Sequence, residues 1–571
     1  MLKVFGIFSN NSNYISQNNF KKDEVNNNEY FEYFNFKYGR VVTGKFPNEQ
    51  IVFENDDLIC CFDGFLFDIK NYKNQSEFIK NELNANNYLN LINNLNGSFC
   101  GYIYLKNQKK ILVFVDHLAT RKIYYSKSND YFIFSSELYD ITNFIRKNIT
   151  LEIDYNNLYT FLGFGYYLED QTLFKNIYQL KLGCLLEYDI NSNNLKLFEF
   201  NKFIIREEKY SYDEILQRYD DYMVSSVKRV ININESYNYP TSCFLSGGLD
   251  SKTVFSIFCE NSINDILTIT FADSRSLDAK IASKVAREMK KQNIFISLDN
   301  GKYLTKNYKK YTEYSNGMLI LSGSLHGLDA LSKINLSNYG LHLTGQIGNA
   351  IFWYFVKNSF NIANYSYAGV PSKYILDNFG NTDSIIKKYE NSDYELFAFE
   401  QKLSNGTIYG DLITRAFTEP ISPFYNKELI KFTLSVSKKL KKNEKLYIDY
   451  IKKFHSQVTK FNWDKSNCRP INANYVKLFK KMRLYKNALR KRFGLYYDSM
   501  NPVDYWISKN PEIIKTIDEY FYKNLDFIEL DKNFSEDLID YYKTTNDRYC
   551  RNKFNALALI NSLNYHYGKF K

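Results

Sequence analysis

The stretch "FLSGGLDSKTV", residues 244–254, decides the fold of this 571-residue chain. "TSCFL" (Thr241 to Leu245) is a short apolar run of strand character, and "KTVFSIFCE" (Lys252 to Glu260) reads as the start of a helix. "SGGLDS" (Ser246 to Ser251) is then the turn between them. Ligands bind at that edge of an open parallel sheet, and a helix amino terminus adds unpaired N–H groups and a partial positive charge. Gly247 and Gly248 have no Cβ, so an anion can lie against their backbone amides. Ser246 and Ser251 supply hydroxyl donors. Asp250 cannot attract phosphate directly, and its chemistry suits Mg²⁺, which bridges a carboxylate and phosphate oxygens.

Outward from this turn the chain has two textures. After about Ile205, long helical patterns such as "SYDEILQRYDDYMVSSVKRVI", "DAKIASKVAREMKKQ" and "NKELIKFTLSVSKKLK" alternate with the brief apolar strands "TSCFL", "ILTITF", "IFISL" and "LHLTG". That alternation predicts a parallel sheet covered by helices. Before it, "KVFGIF", "LICCFDGFLFD", "GSFCGYIYL", "KKILVFVDH" and "DYFIFSS" are short runs bounded by Asn, Asp, Gly or Lys, which predicts packed antiparallel sheet with few helices. The expectation is a two-domain α+β chain divided into residues 1–203 and 204–571. No internal repeat or low-complexity block interrupts it.

Composition agrees with burial on this scale. Hydrophobic residues make up 44% and Gly and Pro number only 24 and 8, against a disordered or linker-dominated chain. A net charge of +11 favours acidic ligands without demanding them. "KKMRLYKNALRKRFG" (Lys480 to Gly494) concentrates bases, but no nucleic-acid motif accompanies it, so it reads as a solvated helix face. The start "MLKVFGIFSNNSN" has no secretory pattern, and no apolar run approaches the ~18 residues of a membrane span, so a cytoplasmic protein is expected. Eight scattered cysteines predict buried free thiols, with neither disulfides nor structural zinc. The five histidines show no pairing, and structural roles are expected for them.

Neither a Walker loop nor a G-x-G-x-x-G dinucleotide loop is present. S-G-G-x-D-S after an apolar strand resembles the pyrophosphate loop of the N-type ATP pyrophosphatases, which split ATP between its α and β phosphates to activate a substrate as its adenylate. Further segments resemble the asparagine synthetase branch, whose relatives include β-lactam synthetases and lasso-peptide cyclases. "VFGIF" (Val4 to Phe8), "FVDHLATRKIYY" (Phe114 to Tyr125), similar to the family's D-x-x-G-x-R-P-L-Y-Y, and "FSSELYDI" (Phe134 to Ile141) are similar to its glutaminase domain. "SLDAKIASKVA", "LTGQIGNAIF", "EPISPFYNKEL" and "FNWDKSNCRP" follow in the family's order. The resemblance implies an Ntn-type, glutamine amidotransferase-like antiparallel sandwich with flanking helices, then an α/β ATP-pyrophosphatase domain with extra helices. It implies ATP and Mg²⁺, with Leu245, Ser246, Gly247, Gly248, Leu249, Asp250, Ser251, Thr270, Thr344 and Gly345 around the nucleotide. It also implies Lys465, in "WDKSNCRP", as the ammonium facing the α-phosphate.

Departures from the family's pattern narrow the chemistry. Leu2 stands where glutamine-hydrolysing members have their nucleophilic cysteine, and leucine cannot be a nucleophile. Asp63, Gly64 and Phe65 replace the Asn-Gly-Glu that recognises glutamine, and Cys60 and Cys61 read as core. "GQIGNA" (Gly345 to Ala350) replaces G-E-G-x-D-E, which puts Gln346 at the acidic catalytic position and Asn349 at the second metal position. An amide oxygen still coordinates a hard cation, with weaker affinity expected. Asp278 reads as a helix N-cap. The expected function is an amide-forming ligase that adenylates a small-molecule or peptide carboxylate and passes the acyl group to ammonia or a substrate amine, without hydrolysing glutamine; a homodimer is compatible with the sequence. The alternative is a nucleotide-binding pseudoenzyme that serves as scaffold or regulator. RNA-modifying sulfur transfer would suit the basic stretch but leaves the strand-rich first 200 residues unexplained.

Overall fold

Short apolar runs with a period of two form strands because alternate side chains point to opposite faces of a sheet. The computed structural model describes residues 3–9, 27–33, 35–42, 44–200, 202–353, 393–544 and 551–570; Leu2 and Cys550 lie outside them. Among the described residues the first half holds β1 (Lys3–Ser9), β2 (Asn27–Tyr33), β3 (Phe36–Val42), β4 (Ile51–Glu54), β5 (Leu58–Leu66) and β6 (Gly97–Leu105). After them come β7 (Lys110–Val115), β8 (Tyr124–Lys127), β9 (Tyr131–Ser135), β10 (Tyr178–Gln179), β11 (Cys184–Asp189) and β12 (Asn194–Glu199). They make two six-stranded antiparallel sheets, ordered β10-β8-β9-β1-β3-β2 and β12-β11-β7-β6-β5-β4.

The sheets pack face to face as a sandwich. β5 shows why: Ile59 and Cys61 join Tyr102, Val113, Phe36 and Phe134 between the sheets, while Leu58, Cys60 and Phe62 face outward onto Phe78, Ile79 and Ile92. Phe78 and Ile79 belong to the Gln75–Glu82 helix, capped by Asn74, and Ile92 to the Tyr88–Asn94 helix. On the other outer face Phe5, Ile7 and Ile133 pack with the Leu138–Asn148 and Tyr155–Phe164 helices, and also with Ile517, Leu538 and Leu559 near the carboxyl terminus. Helices from the end of the chain therefore cover a sheet from its beginning.

The second half carries the parallel sheet: β13 (Thr241–Phe244), β14 (Ile266–Ala272), β15 (Asn293–Ser297), β16 (Leu341–Leu343) and β17 (Glu419–Ile421), in the order β15-β14-β13-β16-β17. All neighbours are parallel, with Phe244 opposite Ile269 and Cys243 opposite Leu343. β14 lies on one side of β13 and β16 on the other, so the strand order reverses at β13. A crevice opens at such a switch point, beyond the strand ends. β17 was not read as a strand, since it is three residues long and contains Pro420, a residue tolerated at a sheet edge.

Several expectations are corrected. The helix expected over 426–441 ends at Ser435 and a short one restarts at Lys438. The basic stretch lies on the Ala473–Arg492 helix, where Val476 is the buried residue, but Leu484 and Tyr485 are 65% and 69% exposed among the lysines and arginines. It is not a purely polar face. No helix among the described residues is long and apolar enough to cross a membrane. Cys60, Cys61, Cys100, Cys184 and Cys243 are buried and free, whereas Cys259 and Cys468 are only partly covered. His455 is paired after all: its Nδ1 lies 2.7 Å from Glu260 and its Nε2 2.9 Å from Asp220.

Candidate active site at the carboxyl edge of the parallel sheet

The turn after β13 is held from both sides. The strand ends at Phe244 and the helix begins at Leu249, earlier than the Lys252 expected, so Asp250 sits in its first turn with Gly248 as N-cap. Leu245 N–H donates to Ile269 O at 2.9 Å, and Leu245 O accepts from the Thr270 hydroxyl at 2.8 Å. Thr270 thus spends its hydroxyl inside the sheet and positions the turn. Gly247 O accepts from Asp464 N at 3.1 Å, and a Cβ on Gly247 would stand 2.7 Å from Asp464 Cβ. Close approach, rather than a special backbone conformation, requires the first glycine.

The amides expected to stay open for an anion are engaged by the chain's own side chains. Ser246 N–H donates to Ser251 Oγ at 3.1 Å, Gly248 N–H to Ser246 Oγ at 3.1 Å, and Gly247 N–H to Asp278 Oδ1 at 3.1 Å. Asp278 is consequently not the N-cap read from sequence; Ser276 is, accepting from Ala279 N. Asp278 reaches across instead and presents a carboxylate to the loop. The sequence reading missed this, and it missed Asp464, whose buried Oδ1 has no hydrogen-bond partner. The signal for both was an aspartate beside a residue already singled out: the start of "DAKIASKVARE", and the neighbour of Lys465.

Three carboxyl groups now converge on one loop, and their acidities respond. Burial and the neighbouring Asp464 push Asp278 up to about 7 against the pull of the Gly247 N–H. Asp464 is raised by burial, with Lys465, Lys252 and Arg483 opposing. Burial pushes Asp250 up to about 6, opposed by Lys465, the Tyr447 hydroxyl and the Asn349 N–H. Lys252, whose Nζ donates to Asn462 O at 2.7 Å, is lowered to about 8 by burial. The donor set fits magnesium held by Asp250 together with phosphate oxygens, the usual arrangement for that ion. It does not fit an all-protein cage, since the described residues hold no group of three or more metal-ligating side chains.

The Gly345–Ala350 turn closes over Asp250. A Cβ on Gly345 would stand 2.7 Å from Ser251 N, and one on Gly348 2.7 Å from Asp250 Cγ, so both glycines are fixed by contact with the loop. Between them the buried Ile347 takes φ 59°, ψ 3°, a left-handed conformation that a β-branched residue adopts only under strain. Asn349 meets Asp250 through its backbone N–H. Gln346 donates from Nε2 to Thr407 O at 2.8 Å, and its carbonyl accepts from Ser422 Oγ at 2.9 Å. Lys465 lies with its Nζ 5.2 Å from the Trp353 ring centre and contributes positive charge at both Asp250 and Asp464.

A cavity of about 460 Å³ adjoins this turn. Phe244, Thr344 and Gln346 form its floor at the strand ends, and the Leu321–Leu331 and Gly410–Arg415 helices and residues 164–166 of the first half form its walls. A second cavity, about 30 Å³, lies where the altered glutamine-recognition segment ends up. There Arg121 donates from Nη1 to Asp63 at 2.7 Å and from Nη2 to Glu419 at 2.9 Å, with all three side chains almost fully covered. Ser136 lines the same small cavity and accepts from Val4 N–H at 3.0 Å.

Comparison with known proteins matches both halves. Residues 82–199 fit the model of a glutamine amidotransferase domain, and residues 235–358 fit that of asparagine synthase. A putative asparagine synthetase (glutamine-hydrolyzing) 2 of Methanocaldococcus jannaschii is 24% identical over 169 residues, which are 30% of this chain and 32% of the relative. The match thus spans about a third of that protein's length. Among solved structures, the B. subtilis glutamine phosphoribosylpyrophosphate amidotransferase complexed with ADP and GMP aligns with 46% of this chain and 77% of its own, at 11% identity and TM-score 0.21. NMN synthetase from Francisella tularensis aligns with 40% and 94%, at 13% identity and TM-score 0.18, and scores this low carry no argument. A glutamine amidotransferase domain is thus followed in chain order by an asparagine synthase domain, the arrangement of the asparagine synthetase family that the sequence resembles.

Proposed function

We propose that the chain is an ATP-dependent carbon–nitrogen ligase that adenylates a carboxylate and transfers the acyl group to ammonia or a substrate amine without hydrolysing glutamine. The observation that carries this reading is the loop Ser246–Ser251, set at the switch point of the parallel sheet with Asp250, Asp278, Asp464 and Lys465 around it. The Asp278 carboxyl group accepts from the Gly247 amide at 3.1 Å, which supports that amide as a donor to an acidic ligand. ATP phosphates would displace Asp278 and turn the Ser246 and Ser251 hydroxyls toward themselves. Magnesium held by Asp250 would supply the charge neutralisation that lets pyrophosphate leave, and Asn349 is the second metal position. The acid's oxygen forms a bond to the α-phosphorus as the bond to pyrophosphate breaks. The amine then forms a bond to the acyl carbon, AMP departs with the electrons of the C–O bond, and the amine's surplus proton goes to solvent. Lys465 would screen charge in both steps. Gln346 cannot accept a proton, so either the base comes from the substrate side or the amine arrives already neutral, as ammonia would.

Absence of glutamine hydrolysis is supported by Leu2 and by Asp63, which is bound to Arg121 beside a cavity with room for about a water molecule or two. The division at 203/204 is proposed on the same basis, as the boundary between this retired half and the ligase half. ATP–pyrophosphate exchange over a panel of carboxylates tests the reading. Exchange that depends on an added acid supports it; nucleotide binding without exchange for any acid supports the scaffold reading. Glutamate released from glutamine by pure protein would contradict the claim about the first half.

A further inference from the structure

Glycine is scarce in this chain, 24 in 571, yet five of the 21 residues around the 460 Å³ cavity are glycines. Gly165 needs its left-handed φ of 79°, and a Cβ on Gly410 would stand 2.9 Å from Ser324 Oγ. Gly323 and Gly327 have no such excuse. Both lie inside the Leu321–Leu331 helix, four residues apart and so on one face. A Cβ on Gly323 would meet only ordinary contacts, the nearest at 3.4 Å, and one on Gly327 would meet nothing within 4 Å although the residue is buried. Each weakens the helix relative to alanine. Neither packing nor backbone geometry requires them, and at Gly327, buried with nothing within 4 Å of where a Cβ would stand, what the glycine maintains is empty space; Gly323 is exposed at the rim of the helix.

The walls around that space are mostly apolar. Phe164, Phe244, Phe271, Leu319, Leu331 and Ile413 line it. His326, on the same helix, is held neutral by burial, and Asp411 is raised by burial and accepts from the Tyr425 hydroxyl at 2.5 Å. Among the described residues Lys402 is then the one strong cation in the wall, too few for an amino acid with two carboxylates and an ammonium, whose charges would each need a partner out of water. The polar end of the cavity is Thr344 and Gln346, the neighbours of Gly345, which touches Asp250 and Ser251. A carboxylate seated there faces the loop while the rest of the molecule extends between the phenylalanines.

We propose that this cavity is the acyl pocket of the ligase reaction and that the acid it takes carries an apolar, ring-sized body in place of the charged backbone of aspartate. The proposal rests on the ligase reading but is separable from it by experiment. On the full chain, binding of 3-phenylpropionate and of aspartate is measured by calorimetry without nucleotide, and both acids are then offered in ATP–pyrophosphate exchange, for the wild type, Gly327→Ala and Gly327→Leu. Expected are at least tenfold tighter binding of the aryl acid, exchange supported by it over aspartate, and at least tenfold weaker binding in Gly327→Leu. Gly327→Ala should melt above the wild type, which separates blockage of the pocket from damage to the fold. Binding of the aryl acid with no exchange for any acid of the panel keeps the pocket and sinks the ligase reading. Exchange with aspartate alone, no binding of the aryl acid, or Gly327→Leu binding it as well as the wild type overturns the pocket.

Discussion

The two cavities differ about fifteenfold in volume, 30 against 460 Å³, although one short helix, Gly410–Arg415, lines both. Leu412 and Arg415 face the small one, and Asp411, Ile413 and Thr414 the large one. The small cavity is filled by charge: Arg121 joins Asp63 of β5 to Glu419 of β17, so a position that resembles a ligand contact has become a tie between the two halves. The large cavity is bordered by Gly327, a buried helical glycine that the local backbone does not need. One region closes on a buried ion-pair tie between the halves; the other stays open, and on the reading proposed above it is a binding pocket.

Replacing Asp250 with alanine is the largest expected effect. If the large cavity and its loop form the working site, ATP–pyrophosphate exchange falls by about 10²–10³-fold, the scale seen when charge stabilisation is removed. A fall of less than tenfold would put the chemistry elsewhere. At the small cavity the matching change is Asp63→Ala, which breaks one arm of the buried Arg121 network. Loss of a partner from a buried pair costs about 3–5 kcal/mol, read by denaturant unfolding. Replacing Asp63, Arg121 and Glu419 together by leucine, methionine and leucine should recover most of that loss. If Asp63→Ala leaves stability unchanged, Asp63 is not a tie and the contrast between the cavities fails.

The carboxyl cluster gives a pH dependence of definite sign. Asp278 is raised in the folded chain to about 7, so its contribution is fully present below the ordinary aspartate value near 4 and is lost as pH rises through 7. His455, raised to about 8 by its bonds to Asp220 and Glu260 despite burial, acts in the same direction between about 6.5 and 8. Unfolding free energy should therefore fall between pH 5 and 8. Asp278→Asn should flatten the lower part of that slope, by at most about 1.4 kcal/mol per pH unit for one proton, and leave the part due to His455. An unchanged slope would mean that Asp278 is already ionised and satisfied at the loop.

Much of this architecture was legible because it is written in local period. The alternating runs of β5 and β6, the apolar strands before "SGGLDS" and the long amphipathic helix Tyr212–Ser236 each carry enough residues to declare themselves. What escaped was set by contacts between distant segments. Asp278 and Asp464 reach the loop from 31 and 217 positions away, respectively, and no spacing rule connects either to Gly247. β17 is too short to show a period, and the Asp63–Arg121–Glu419 tie spans both halves. The openness of the loop amides failed for the same reason: local geometry offers them to an anion, and only the tertiary fold reveals that Asp278 has taken one.

The smallest expected effect concerns the segment that carries Arg121. Ala119 stands at the glycine of the D-x-x-G-x-R pattern and is buried with φ 47°. A left-handed alanine is strained by about 1–2 kcal/mol, whereas glycine there loses about 0.8 kcal/mol of methyl burial and somewhat less than 1 kcal/mol in unfolded-chain entropy. These terms nearly cancel, so Ala119→Gly should change stability by less than about 0.5 kcal/mol. Ala330, equally buried but helical, has no strain to relieve, and the same substitution there should cost about 1.5–2 kcal/mol. Equal losses at the two sites would show that the left-handed alanine stores no strain. The turn that aims Arg121 into the small cavity would then be held by packing alone.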